Sequence, residues 1–410
     1  MKMTQTPNSL RIHIGIFGRT NSGKSSLLNA LTNQNFSIVS DEAGTTTDPV
    51  NKAMEIRGVG PVLFTDTAGF EDKTVLSEKR LEKTVDVLNR IDIALLVFSA
   101  DESDEFTDFE NENAFWFSKI MESKKPYIPV ITKVDKISEE KQKSVKMRID
   151  SFAKKPSVCV SSLKKSGIEN LIEKIRQIAD KMPCVSFTEN ICKTGDLVLL
   201  VMPQDIQAPK GRLILPQVHV LRELLDKKCI VVSCTADGMQ QTLNSLKTIP
   251  SLIIVDSQVF EHAYSLKPKE SLLTSFSVLM AASKGNIQLF KEGAFAISKL
   301  NSSSRVLIAE ACTHIPQEED IGRVKIPRML QNTVPNIQID FVRGTDFPKN
   351  LNDANGQPLY DLIIHCGACM FNRPYMLHRQ ELAKAANIPM TNYGLAIAAL
   401  KGILDKIALP

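Results

Sequence analysis

Gly18-Arg19-Thr20-Asn21-Ser22-Gly23-Lys24-Ser25 stands between the apolar run Ile12–Phe17 and the segment Ser26-Leu27-Leu28-Asn29-Ala30-Leu31. The run reads as a buried strand and the segment as a helix start. Strand, glycine-rich turn, Lys-Ser and helix, in that order, make a phosphate-binding loop. The glycines let backbone N–H groups curl inward and form an anion nest at a helix N-terminus. Lys24 adds a point charge for the β- and γ-phosphates, and Ser25 offers a hydroxyl to Mg²⁺. Gly18, Asn21, Ser22, Gly23 and Ser26 complete the expected contacts of this loop.

Downstream comes a polar stretch, Asp41-Glu42-Ala43-Gly44-Thr45-Thr46-Thr47-Asp48. The strand-like run Val62–Thr65 then ends in Asp66-Thr67-Ala68-Gly69. An Asp at a strand end holds Mg²⁺ through water, and Gly69 turns its N–H toward a γ-phosphate. The run Tyr127–Ile131 ends in Thr132-Lys133-Val134-Asp135. A carboxylate there accepts two hydrogen bonds from guanine N1 and N2, which adenine does not offer. The run Ser157–Val160 leads into Ser161-Ser162-Leu163, whose backbone can reach guanine O6. Alone, each motif is as compatible with an ordinary turn. Together, in this order at strand carboxyl ends, they follow the ligand rule of open α/β sheets. Thr45, Thr46, Thr47 and Gly69 are expected to order around the γ-phosphate, and Glu78 to orient water. Lys24, Thr46, Gly69 and Glu78 are therefore the expected catalytic set.

At 410 residues the chain has room for two or three domains. Its 43% apolar and 23% charged residues are those of a globular protein. No apolar run is long enough to span a membrane and the N-terminus has no signal-peptide core, so the cytoplasm is the expected location and no membrane partner is expected. A net charge of +4 gives little reason to invoke nucleic acid. The chain has eight cysteines. In a reducing compartment their clustering points to metal rather than disulfides.

The segment from about Ile12 to Met182 resembles the translation-factor-like GTPases of the Era, Der and tRNA-modification type. The matching stretches are GRTNSGKSSLLNAL, AGTTTD, DTAG and TKVD. The resemblance implies GTP and Mg²⁺ as ligands. It also implies a K⁺ held partly by Asn21, with slow, K⁺-stimulated hydrolysis. Two positions depart from the wider pattern: Thr132 stands where Asn is usual, and Phe70 follows DTAG in place of a water-orienting Gln.

From about 184 to 265 the strand and helix signals are too few for a large independent core, which points to dimerisation. Cys229 and Cys234 read as core thiols on or beside a buried strand; Cys184 and Cys192 suggest nothing specific. In the last part, Val306–Ala309 runs into Glu310-Ala311-Cys312-Thr313-His314, and Tyr360–Ile364 into His365-Cys366-Gly367-Ala368-Cys369. Strand–helix alternation implies a parallel sheet, with both clusters at one rim. Cys366 and Cys369 on a narrow turn, with Cys312 from a neighbouring strand, suit either of two centres. One is a Cys₃His zinc site completed by His314 or His365, and the other a [4Fe–4S] cluster on three cysteines. His378 reads as packing or surface.

The C-x-H, intervening segment and H-C-x-x-C pattern resembles the cluster motif of the [FeFe]-hydrogenase maturation GTPases, and the likeness covers essentially the whole chain. It implies an α/β architecture of three parts: a P-loop GTPase domain (1–182), a small α/β dimerisation domain (183–265), and an α/β iron–sulfur cluster-binding domain with a parallel sheet (266–410). It further implies a homodimeric scaffold that holds a [4Fe–4S] cluster and, transiently, a diiron precursor. Radical-SAM maturases supply the precursor, and apo-[FeFe]-hydrogenase receives it. Cys312, Cys366 and Cys369 then fall on the cluster ligands, and His314 and His365 on the family's histidines. The fourth position is expected to be exchangeable, with Glu310 or Asp353 as further candidates. The rival expectation is an RNA- or ribosome-associated Era-like GTPase with a structural zinc site.

Overall fold

The structure, a computed structural model, describes residues 6–32, 40–41, 50–67, 84–101, 106–183, 185–203, 213–311 and 320–410. Contacts divide the chain into two compact units, Met1–Pro183 and Cys184–Pro410.

The first unit is built on a seven-stranded sheet. Its strands are β1 (Ile12–Phe17), β2 (Ser40–Asp41), β3 (Val50–Ile56), β4 (Gly60–Asp66), β5 (Ile93–Ser99), β6 (Tyr127–Thr132) and β7 (Val158–Cys159), in the order β2-β3-β4-β1-β5-β6-β7. The β2-β3-β4 edge is antiparallel and the rest parallel. Parallel strands covered on both faces need continuous apolar runs, and every residue of β5 is buried. Side chains alternate across the sheet. Ile14 and Ile16 join Leu27, Leu31, Phe64 and Leu171 on one face, while Phe17 joins Phe98, Trp116 and Ile149 on the other. The β1 carboxyl end opens into the helix Lys24–Thr32. The turn between them demands glycine: Gly18 has φ +150°, and a Cβ there would lie 2.3 Å from the Val97 carbonyl.

The second unit holds two four-stranded sheets, both wholly parallel. The middle sheet comprises β8 (Leu197–Val201), β9 (Ile230–Cys234), β10 (Leu252–Val255) and β11 (Leu272–Ser275), ordered β11-β10-β8-β9. Its last strand lies beyond residue 265, where the sequence suggested a boundary. The final sheet comprises β12 (Arg305–Glu310), β13 (Gln338–Arg343), β14 (Leu362–His365) and β15 (Met390–Asn392), ordered β13-β12-β14-β15. Leu199, Val201, Ile253 and Val255 of the middle sheet share one core with Val306, Ile308, Ile363 and Leu395. A single chain thus supplies the apolar partner that the middle segment lacks by itself.

After β12 a π turn, Ile321–Lys325, runs into the α-helix Ile326–Thr333. The last α-helix, Tyr393–Leu400, ends at Leu400. Gly402, at φ +67°, supplies the left-handed residue that stops it. Among the described residues no helix is long and apolar enough to cross a membrane.

Candidate functional site: a phosphate loop and a cysteine rim

In the first unit, Lys24 is buried and its Nζ donates to the carbonyls of Gly18 (3.0 Å) and Arg19 (2.6 Å). Asn21 takes a left-handed conformation, φ +57°, in the turn before it. Ser25 Oγ donates to Asp66 Oδ2 at 2.6 Å, which joins the helix start to the end of β4. Burial pushes the Asp66 carboxyl up, against the opposing effects of Ser25, Lys24 and Lys52. Its Oδ1 and the buried Ser22 Oγ have no hydrogen-bond partner among the described residues. A carboxylate and a hydroxyl converging beside a phosphate loop, with an acceptor atom left over, fit the Mg²⁺ of a nucleoside triphosphate.

Thr132 is engaged within the protein. It is buried, and its Oγ1 contacts the Ser22 carbonyl and lies 3.1 Å from the Phe98 carbonyl. It packs behind the phosphate loop and links it to β5. Lys133 takes a left-handed φ of +56° at the end of β6. Its Nζ is 3.2 Å from Asp101, which also holds Lys136 at 2.8 Å. Burial would raise the Asp101 carboxyl, but hydrogen bonds from Lys136, Ser99 and Lys133 outweigh it and hold the group well below its usual range. Nothing in the spacing had singled out Asp101. Asp135 accepts from Ser161 Oγ, which brings the TKVD and Ser161-Ser162 segments together and lowers the Asp135 carboxyl. Leu163 is exposed and Ser161 buried. Thr45, Thr46, Thr47, Gly69 and Glu78 lie outside the described residues.

In the second unit β12 and β14 are adjacent and parallel, with Ala309 opposite His365, so their carboxyl ends share one rim. The Ala311 N–H donates to Cys366 Sγ at 3.0 Å, and the Cys366 N–H to the Ala309 carbonyl at 2.9 Å. Cys312 follows Ala311 in the chain; it and His314 lie outside the described residues. Cys366 and Cys369 lie on the turn from β14 to the helix Arg373–Ala385. Ala368, between them, is buried with φ +52°. Burial pushes the Cys369 thiol up, and the charge of Lys284 works against that. Among the described residues no three His, Cys, Asp or Glu side chains converge on a metal position.

Three proposed ligands turn out to be engaged. His365 is fully buried with Nδ1 2.9 Å from the Cys366 carbonyl and Nε2 2.8 Å from Arg379 Nη1. Burial and then the Arg379 charge push its pKa down to about 3. Glu310 is buried between Arg323, at 2.9 Å, and Arg343, at 3.5 Å. Asp353 accepts from the N–H groups of Asn355 and Gln357 in its own turn. Sequence reasoning missed Arg379, one amphipathic-helix residue among many.

The middle sheet holds a second thiol pair. Cys192 and Cys229 are buried with Sγ atoms 3.4 Å apart. The sequence had placed them in unrelated contexts, 37 residues apart. Burial and the Cys229 contact push Cys192 up to about 12.

Residues 288–410 match the family model described as hydrogen maturase F tetramerization domain, and residues 187–285 the one described as hydrogen maturase F dimerization domain. Residues 13–133 match a model described as 50S ribosome-binding GTPase. Among curated proteins, GTPase Der of Wolinella succinogenes is 39% identical over 183 residues, 43% of this chain and 37% of that protein. GTPase Der of Deinococcus deserti is 31% identical over 181 residues, 43% of this chain and 40% of its own length. The chain thus spans about two fifths of these relatives. Among solved structures, Era of Aquifex aeolicus bound to GDP and AlF4⁻ is 18% identical, with a TM-score of 0.35, and covers 63% of this chain and 99% of that one. The G domain of the T. maritima FeoB iron transporter is 24% identical, with a TM-score of 0.31, over 41% of this chain and 99% of that one.

Proposed function

The chain belongs to the hydrogen maturase F family of hydrogenase-maturation GTPases, and on that premise we propose that it is a GTP-hydrolysing scaffold carrying a [4Fe–4S] cluster on Cys312, Cys366 and Cys369. The observation that carries this reading is the Ala311 N–H on Cys366 Sγ. It brings the chain, one peptide bond before Cys312, onto the sulfur of the other half of the motif. An N–H donor to a cysteine sulfur stabilises the thiolate form that iron requires. The donor set fits the group: two cysteines on one tight turn, a third cysteine next to the donor, and buried Ala311 and Ala368 beside them. When bound, such a cluster supplies soft, exchangeable iron for a cargo. The cargo in this reading is a diiron precursor, received from radical-SAM maturases and handed to apo-[FeFe]-hydrogenase. The matches to dimerization and tetramerization domains support self-association, as at least a homodimer.

At the nucleotide site, phosphate oxygens take over Lys24 Nζ from the carbonyls of Gly18 and Arg19. Ser25 and Asp66 hold Mg²⁺, and Asp135 reads guanine. Asn21, Thr46, Gly69 and Glu78 keep their proposed roles in K⁺ binding and hydrolysis. Slow turnover fits a switch whose γ-phosphate state changes partner contacts.

Anaerobic reconstitution with iron and sulfide tests the reading. A brown protein with about four irons per chain, whose reduced form gives a cluster EPR signal lost in Cys366→Ser, is expected. A colourless chain that purifies with zinc would instead support the zinc-stabilised GTPase.

A further inference from the structure

We propose that His365 props the cysteine turn instead of binding metal, and that Arg379 is the positioning residue that keeps it in that role. The inference rests on the cluster reading above and refines its ligand set. A guanidinium has only donors, so His365 Nε2 must accept from Arg379 Nη1 at 2.8 Å. A carbonyl only accepts, so Nδ1 must carry the proton it gives to the Cys366 oxygen at 2.9 Å. The ring is therefore neutral, in one tautomer, with both nitrogens committed. To offer Nε2 to iron it would have to leave Arg379 and strip a buried N–H of this acceptor.

Arg379 is itself held at both terminal nitrogens. It is 1% exposed. Its Nη2 donates to the Gly344 carbonyl at 2.5 Å and lies 3.3 Å from Tyr375 Oη. The guanidinium carbon stands 4.6, 4.5 and 4.8 Å from the ring centres of Phe347, Phe371 and Tyr375. The Gly344 N–H in turn donates to the Glu310 carbonyl at 2.9 Å. One hydrogen-bonded path thus runs from the end of β12, past the turn after β13, through Arg379 and His365, to the peptide of Cys366. It sets the orientation of that peptide, and with it the direction of the cysteine sulfur.

The test uses full-length protein, reconstituted anaerobically and reduced, with pulsed EPR to read nitrogen couplings. His365→Asn keeps an N–H for the Cys366 carbonyl but has no imidazole. Like Arg379→Met it is expected to retain iron less well than the unsubstituted protein, because Arg379 loses its acceptor, but its nitrogen couplings are expected to be unchanged, because no imidazole nitrogen is on iron. Arg379→Met is expected to weaken iron retention, about ten-fold in affinity, and to shift the g values; Arg379→Lys, which keeps a donor, recovers part of the loss. A strong nitrogen coupling present in the unsubstituted protein and lost in His365→Asn would overturn the proposal, because it would make His365 a ligand. If circular dichroism shows Arg379→Met unfolded, the His365→Asn comparison decides alone. An unsubstituted chain that takes up no iron would overturn the cluster reading and this inference together, an outcome told apart by the iron count.

Discussion

Thr132 and Asp135 stand three residues apart and have different partners: Thr132 meets the Ser22 and Phe98 carbonyls, and Asp135 accepts from Ser161. Thr132 is bonded to the back of the phosphate loop. Thr132→Val, which keeps the shape and removes the hydroxyl, should weaken binding of GTP and GDP by about ten-fold, the worth of one buried hydrogen bond. The preference for guanine over adenine should not change; isothermal titration with the four diphosphates checks both. Asp135→Asn should change the base preference as well as the affinity. It removes the charged acceptor for two guanine N–H groups, so GTP affinity should fall about a hundred-fold, on roughly 1.5–3 kcal/mol per charge-assisted bond. Xanthosine triphosphate, which has a carbonyl at C2, should bind the variant better than GTP does. The departure at position 132 was plain in the sequence, but its meaning was not. Only the packing of β6 against the loop shows that this side chain meets the Ser22 and Phe98 carbonyls.

The segment that leads into the middle sheet is held by one carboxylate. Glu223, on the helix Leu215–Asp226, accepts from Ser186 Oγ (2.8 Å), the Phe187 N–H (2.6 Å), the Thr188 N–H (2.9 Å) and Thr188 Oγ1 (2.7 Å). Burial would raise its pKa, but the hydrogen bonds from Thr188, Phe187 and Ser186 outweigh this and lower it. The sign follows from linkage: the folded state holds the proton less tightly than the unfolded chain. The stabilisation is therefore complete above the unfolded glutamate pKa of about 4.3 and is lost as pH falls through the lower folded value. Glu223→Ala should cost about 3 kcal/mol at pH 7, read as a lower urea midpoint, and the difference should shrink in acid. The neighbouring Cys192–Cys229 pair should resist alkylation at pH 8 in the folded protein and react on unfolding. Mass spectrometry after iodoacetamide treatment reads this directly. Strands and helices here were legible from apolar runs and turn residues. The pairings of residues 186–188 with Glu223, and of Cys192 with Cys229, were not, because they depend on how the helix lies on the sheet.

Across the whole molecule, two compact units meet in sequence near Pro183. The nucleotide residues fall in the first and the cysteines of the rim in the second. Lys24→Ala should therefore abolish GTP turnover and leave iron content unchanged, while Cys366→Ser should remove the iron signal and leave the rate of phosphate release within two-fold, about 0.4 kcal/mol. Loss of both properties in either variant would show that the two sites depend on each other chemically. Covalent order along the chain was enough to establish the GTPase sheet and to mark the stretch Thr132–Asp135 and the two halves of a cysteine motif. Those signals are local: each needs only the spacing of a few residues at the end of an apolar run. Which atoms answer one another across the sheet could not be read that way. That Ala311 reaches Cys366, that Arg379 occupies His365, and that two arginines claim Glu310 are matters of register and packing. Hydrogen bonds reach about 3 Å, so a ligand set is settled by which strands become neighbours and where their ends fall.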